Sequence, residues 1–521
     1  MKKHARIIAF TVMLSMLLTS LLSCDKASFG NDGQSETTIA EASGTGSDTA
    51  DNSADMELVR RIEDSTSKHY DGNLWQKSVI NQKIEGTMTG NFATVEYTAN
   101  ILHVDISGNS ENIQTLMIQD VENKTTTATD STVKEYTVTK AYSDGYMYYG
   151  YKGGDKSIFL KSVLTSADYL PYYQEYDSGI EEPVYREACE SVTVRLSDDE
   201  KTYIVTYEQS RKSESEEINV IANRLTESFG AEFDLISFTY EVVADAETLV
   251  ITSSKTTVKS IYAEGDDELL HTYTMEATLS LPEEGFSTKP ENADSYALSG
   301  DLRYMEIASQ KISDIVTSDN IGFTFTSTST QGAGSTVNLT VSESTKINSG
   351  IKNGVYVHHI TQSIKSGSTK KTNVYTFNGT QQRIKIEGNA ETIVNDMTEV
   401  GARTYISAFI GNIDFTPSDI VSINVETTEK GYAYVDFLFR FDLSLYDFLF
   451  ESLGTKARFG YEKIRFSFDN TGRLMNASYE FYVDTFCNGR SYYIKTEEKI
   501  SGFGDADLSA ITPIRPGSAD I

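Results

Sequence analysis

The chain has 521 residues and a formal net charge of −31, with 31 Tyr and 24 Phe. Aromatic content this high, over this length, excludes a disordered chain and leaves room for more than one hydrophobic core. The excess of carboxylates repels phosphate groups, which excludes nucleic acid as a partner and argues against docking on anionic lipid through the protein's own surface.

The first element in chain order is an address. Lys2, Lys3 and Arg6 precede an apolar run from Ile7 to Leu22. That run is short for a membrane span, and small Ser23 stands where a signal peptidase cuts. Leu21-Leu22-Ser23-Cys24 resembles the bacterial lipobox. The resemblance implies removal of residues 1–23, cleavage after Ser23 and a diacylglyceryl group on the Cys24 sulfur. A second acyl chain turns marginal membrane binding into stable anchoring. No later stretch reaches the length of a membrane helix, so Cys24 is the expected membrane attachment. Residues 24–53 are rich in Ser, Thr, Gly and Asp and lack Pro, which predicts a flexible acidic tether.

Two similar halves follow, at 54–290 and 291–508, with a tail at 509–521. Each is expected to open with a helix. Leu58, Val59 and Ile62 mark one over 54–68, with Ser53 as N-cap. Leu302, Met305, Ile312, Ile315 and Val316 mark another over 300–317, with Ser299 as cap. Alternating stretches then predict strands, the clearest at 432–441, where Ala433, Val435, Phe437, Phe439 and Phe441 share one face. Further strands are expected at 462–468, 478–486 and 491–499. Asp144-Gly145 and Asn378-Gly379 predict two-residue hairpin turns. Helical or mixed segments interrupt the strands near 163–190 and 390–411.

The halves match at nearly fixed offset. A shift of 230 places Val205 on Val435, Tyr207 on Phe437, Phe229-Gly230 on Phe459-Gly460 and Ser237-Phe238 on Ser467-Phe468. A shift of 234 places Asp144-Gly145 on Asn378-Gly379. Shared order and spacing point to internal duplication. The expected fold is therefore α+β: two tandem units, each a strongly curved antiparallel sheet, an incomplete barrel, wrapped around a few helices. This order, with the lipobox, resembles the lipoprotein-carrier superfamily (LolA-like, including the mycobacterial LppX and LprG type). That resemblance implies a half-barrel whose helices form a lid. It transfers no functional residue apart from Cys24.

The motifs of chemistry are sparse. His358 and His359 are adjacent on a predicted strand, point to opposite faces and cannot chelate one ion together. The histidines in general are expected at the surface or half-buried. Metalloprotease, nucleophile-elbow, Walker, Rossmann and EF-hand patterns are missing. Acidic clusters occur at Asp198-Asp199-Glu200, Asp266-Asp267-Glu268 and Glu181-Glu182, and the first two, between strand-like stretches, read as solvated turns. Cys189 and Cys487 fall in different halves and are expected as unpaired thiols. No enzyme, metal or cofactor is expected.

What remains is aromatic. Tyr142, Tyr146, Tyr148, Tyr149 and Tyr151 crowd one hairpin, followed by Tyr169, Tyr172, Tyr173 and Tyr176. Tyr142, Tyr146 and Tyr148 in the first unit, and Phe437, Phe439 and Phe441 in the second, are the expected lining of a concave ligand cavity. The function expected is a lipid-anchored binder or carrier of a hydrophobic or amphipathic, lipid-like ligand at the outer face of the cytoplasmic membrane. The alternative is an envelope scaffold, which predicts an exposed apolar patch instead of a cavity.

Overall fold

The computed structural model describes residues 49–514 apart from 89–90, 108–111, 128–129, 155, 178–190, 211–231, 265–266, 390–391, 398, 408, 411–412 and 414. Ser23, Cys24, most of the tether, Glu181-Glu182, Cys189 and Phe229-Gly230 lie outside the described residues. The chain forms two compact units: Met1–Phe159 with Val163–Tyr296, and Leu160–Ser162 with Ala297–Ile521.

In the first unit, α1 (Thr49–Tyr70) leads into β1 (Leu74–Met88), β2 (Asn91–Ile106), β3 (Gln114–Thr127), β4 (Ser131–Ser143), β5 (Tyr146–Gly153) and β6 (Lys156–Val163). The short helix α2 (Ser166–Tyr172) precedes β7 (Ser191–Leu196), β8 (Thr202–Ser210), β9 (Glu232–Asp245), β10 (Ile251–Glu264) and β11 (Asp267–Ser280). The sheet order is β6-β5-β4-β3-β2-β1-β11-β10-β9-β8-β7. Asp144 and Gly145 join β4 to β5 with φ of 54° and 76°, the left-handed pair that a type I′ turn demands.

The second unit begins at β12 (Ala297–Leu298), which pairs parallel with Leu160 and Lys161. It continues with α3 (Arg303–Thr317), β13 (Asn320–Ala333), β14 (Thr336–Lys352), β15 (Val355–Ser366), β16 (Thr369–Phe377), β17 (Gln381–Ile386) and β18 (Ile393–Asp396). Then come α4 (Glu399–Ser407), β19 (Ile420–Thr427), β20 (Ala433–Phe439), β21 (Phe459–Phe468), β22 (Leu474–Cys487) and β23 (Arg490–Gly504). Its order is β18-β17-β16-β15-β14-β13-β23-β22-β21-β20-β19, the order of the first sheet with every label raised by twelve. Val205 and Val435 fall on β8 and β20, both fully buried, and Tyr207 and Phe437 follow them on the same faces. Asn378-Gly379 lies in a longer connection than expected, where Asn378 Oδ1 accepts from the Thr380 and Gln381 amides.

The expected α+β arrangement is overturned. Among the described residues 60% are in strands and 16% in helices, and neither sheet closes or wraps a helical core. The reason lies in strand length. Most strands of the first sheet run to 13–16 residues, far beyond the ordinary five or six. Their inward side chains cover one another. The central cluster (Ile80, Ile84, Val95, Tyr97, Ala99, Ile101, Val121, Leu269 and Met275) consists wholly of strand residues. Cross-strand aromatic and β-branched pairs stabilise such a face without a helical layer. Helix α1 starts at Thr49, ahead of the expected Ser53 cap, and serves one end alone: Val59 and Ile62 pack with Val205, Tyr207, Val242 and Ala244. Helix α3 begins at Arg303 and places Tyr304 5.4 Å from the Phe468 ring of β21.

Candidate functional site

Strand alternation separates the aromatics that sequence grouped. In the β4–β5 register Tyr142 faces Met147 and Ala141 faces Tyr148, so Tyr142 lies on one side of the sheet and Tyr146 with Tyr148 on the other. Tyr142 stacks on Tyr169 of α2 (centroids 4.0 Å, planes 9° apart), and its hydroxyl donates to the Leu164 carbonyl at 3.0 Å. Tyr148 packs with Val104, Leu116, Ala141, Ala293 and Tyr296, and Tyr146 lies against that cluster. In the second unit Phe415 fills the space beside Phe437 and Phe439, with centroids at 4.9 and 6.1 Å. Phe441, past the end of β20, stacks on Tyr446 at 4.8 Å. Tyr142, Tyr148, Phe437 and Phe439 are buried, Tyr146 and Phe441 half-buried, and in the first unit Tyr142 lies on the face opposite Tyr146 and Tyr148.

The inner faces carry something sequence did not single out. On β2, Val95, Tyr97, Ala99, Ile101, His103 and Asp105 alternate inward and all are buried. The expectation of surface or half-buried histidines fails here, because His103, His271 and His358 are all buried. His103 Nε2 lies 2.9 Å from Asp105 Oδ1, and Tyr173 donates its hydroxyl to Asp105 Oδ2 at 2.6 Å. One strand away, the Thr115 and Tyr169 hydroxyls lie 2.7 Å apart. These bonds staple α2 and the turn after it to the end of β2 and β3. They hold a helix in place.

The middle of the same face is different. The register sets Gln82 of β1 and Asn123 of β3 directly opposite Tyr97 of β2, with Gln119 beside them. Gln119 Nε2 donates to the Tyr97 hydroxyl at 2.9 Å. Gln82 Nε2 lies 2.9 Å from His271 Nε2, and Ser260 Oγ 2.8 Å from His271 Nδ1. Burial pushes the His271 imidazole down to about 4, so it is neutral at physiological pH. Burial also pushes the Tyr97 phenol upward. Gln82 Oε1, Gln119 Oε1 and Asn123 Oδ1 are buried with no hydrogen-bond partner. Rotating either glutamine amide only exchanges an orphan acceptor for an orphan donor. Leaving each group unpaired costs roughly 1–3 kcal/mol. Native proteins keep few such groups, and here three of them surround one tyrosine inside an apolar lining.

The second sheet treats its polar row otherwise. Gln362 of β15 donates to Glu343 Oε1 at 3.0 Å and accepts from the Tyr375 hydroxyl at 2.9 Å. Nearby, His358 is fully buried, 5.5 Å from the Phe377 ring and 6.1 Å from Tyr405. Neither of its ring nitrogens has a partner, and burial pushes its imidazole down to about 3. His359 points to the other face and is half-buried. Among the described residues no three His, Cys, Asp or Glu side chains are grouped to hold a metal ion. Asp199 sits in the β7–β8 turn, where the Ser197 hydroxyl and Lys201 amide lower its carboxyl below the usual range. Cys487 is half-buried, with its thiol 3.5 Å from the Leu453 carbonyl.

His103 and Asp105 were within reach of the strand period, being two residues apart on the face of Tyr97 and Ile101. Gln82, Gln119 and Asn123 come together only through strand register, which no local pattern discloses.

No known family model matches the chain, and no curated protein matches it in sequence. Solved structures give broad but poor superpositions. The translocator domain of the autotransporter NalP from Neisseria meningitidis is 6% identical, covers 87% of this chain and 97% of its own, and has a TM-score of 0.13. A putative AttH from Nitrosomonas europaea is 9% identical over 83% and 94%, with a TM-score of 0.14. Pseudomonas aeruginosa OpdK with vanillate is 7% identical over 84% and 99%, with a TM-score of 0.13. Scores this low carry no argument about fold or activity. No described helix is long and apolar enough to cross a membrane, which says nothing of β-barrels.

Proposed function

We propose that this chain is an exported, lipid-anchored, non-enzymatic protein that holds a hydrophobic or amphipathic, lipid-like ligand at the outer face of the cytoplasmic membrane. Cys24 supplies the location. The observation that supports a ligand is the trio of unpartnered amide oxygens at Gln82, Gln119 and Asn123, set among Ile80, Val95, Ala99, Ile101 and Val121. An apolar wall with a few unpaired polar groups suits a molecule with a chain and a polar end. The test is to purify the mature chain carrying Cys24→Ser without detergent, extract it with organic solvent and analyse the extract by mass spectrometry. A stoichiometric amphiphile is expected; recovery of none overturns the reading. A scaffold role without a small ligand is the second reading, favoured by the exposed Leu445 and Phe448. Capture of one envelope protein in stoichiometric amount, with no amphiphile in the extract, would select it.

A further inference from the structure

A cavity of about 520 Å³ lies within the second unit, between the C-terminal half of α3, the start of β13, the β21–β22 turn and the end of β23. That volume is in the range of small-molecule sites. Its floor is apolar: Ile315 and Leu474 are buried, and Ile321 and Phe503 are half-buried. Its walls carry both signs of charge, Lys311 and Arg473 against Asp314 and Asp505. The four charged groups differ in what already holds them. Asp314 accepts from the Gln310 side-chain amide at 2.9 Å and pairs with Lys311 at 3.3 Å, so these two largely satisfy each other. The Arg473 guanidinium has five donors, of which one makes a long bond, 3.4 Å from Nη2 to the Phe503 carbonyl. Asp505 Oδ1 accepts from the Asn320 side-chain amide, also at 3.4 Å. Both residues stand on backbone fixed by other bonds. Asp469 Oδ1 accepts from the Thr471 and Arg473 amides and so shapes the turn that carries Arg473. Asn320 Oδ1 accepts from the Ala506 amide at 2.9 Å, which ties the segment carrying Asp505 to β13. Other acids nearby are engaged: Asp319 pairs with Arg403, and Asp507 accepts from the Ser509 amide and hydroxyl.

We propose that this cavity binds a small zwitterion, a short peptide with apolar side chains and free termini. Arg473 offers the planar fork that grips a carboxylate in two parallel bonds. Asp505 offers an acceptor to an ammonium group, and the apolar floor receives the side chains. The balance of charge selects this occupant. A simple anion such as phosphate meets two carboxylates in the same cavity, and a simple cation meets two basic groups. A wholly apolar molecule would desolvate Arg473 and Asp505 without pairing either. A ligand with one group of each sign on an apolar body meets every wall. The cavity is also larger than a single amino acid fills. The proposal does not rest on the amphiphile assigned to the unpartnered amides of the first unit.

The test removes one charge at a time from each side. The mature chain carrying Cys24→Ser is titrated by calorimetry with the dipeptide Leu-Leu, with N-acetyl-Leu-Leu and with Leu-Leu amide. Leu-Leu is expected to bind, and loss of either terminal charge to weaken binding by about tenfold, the worth of one charge-assisted hydrogen bond. Arg473→Ala is expected to weaken Leu-Leu by about tenfold and to leave Leu-Leu amide unchanged. Asp505→Asn is expected to weaken Leu-Leu and to leave N-acetyl-Leu-Leu unchanged. Both side chains are exposed, so circular dichroism should not change in either variant. Failure of Leu-Leu to bind at millimolar concentration overturns the proposal. Equal binding of the three ligands, or binding of Leu-Leu unaltered in both variants, overturns it as well. Tighter binding of inorganic sulfate than of Leu-Leu also overturns it and marks a plain anion site.

Discussion

Replacing His358 with Phe tests the reading of the buried rows most directly. The ring is fully buried between Phe377 and Tyr405, and neither nitrogen has a partner. Phenylalanine keeps the planar shape and removes two unpaired polar atoms, which should stabilise the protein by about 1–3 kcal/mol at neutral pH. The pH dependence adds a second signature. The folded imidazole is held near 3, against about 6.5 in the unfolded chain. A depressed folded pKa means that the unfolded state binds the extra proton. The wild type therefore has its full stability above about pH 6.5 and loses it as pH falls from there toward 3. Between neutral pH and about pH 5 this one residue costs roughly 2 kcal/mol. In His358→Phe that loss should vanish, while the loss due to His271, held near 4, should remain. Urea unfolding midpoints at the two pH values give the magnitude, and hydrogen exchange of β15 and β16 peptides localises it. A variant that is less stable at neutral pH, with an unchanged pH slope, would refute the reasoning and require a partner on the ring.

Further outcomes are expected. Cys24→Ser should move the protein from the membrane to the soluble fraction with both units folded; continued fractionation with membranes would count against the lipobox. Ile62→Ala, at the buried face of α1, should cost about 2–5 kcal/mol, and a neutral result would mean that α1 is a dispensable extension of the tether. Phe437→Ala should cost about 3–5 kcal/mol, read by urea unfolding, and leave the extracted amphiphile unchanged, because Phe415 and Phe466 pack against that ring. Loss of the amphiphile without loss of stability would restore Phe437 as a lining residue. Tyr173→Phe removes the donor to Asp105 and should cost about 1–3 kcal/mol, visible as faster hydrogen exchange in α2.

The sequence by itself carried the features that depend on near neighbours. Alternation on β20, helical spacing in α3, the Asp144-Gly145 turn and the offsets near 230 are all local or periodic, and the two sheets share one strand order. The layer arrangement was not local. The α+β expectation assumed that an apolar sheet needs helices over it, whereas strands as long as β1 to β4 bury their own inward side chains. The tertiary structure also decided which polar residues matter. Gln82, Tyr97 and Asn123 are far apart along the chain and meet because the register of three strands lays them in one row. Tyr142 and Tyr148, close in sequence, are parted by the two faces of one sheet. Register and facing arise from hydrogen bonding between distant strands, so a linear pattern can name the side chains of a β protein without showing which of them meet.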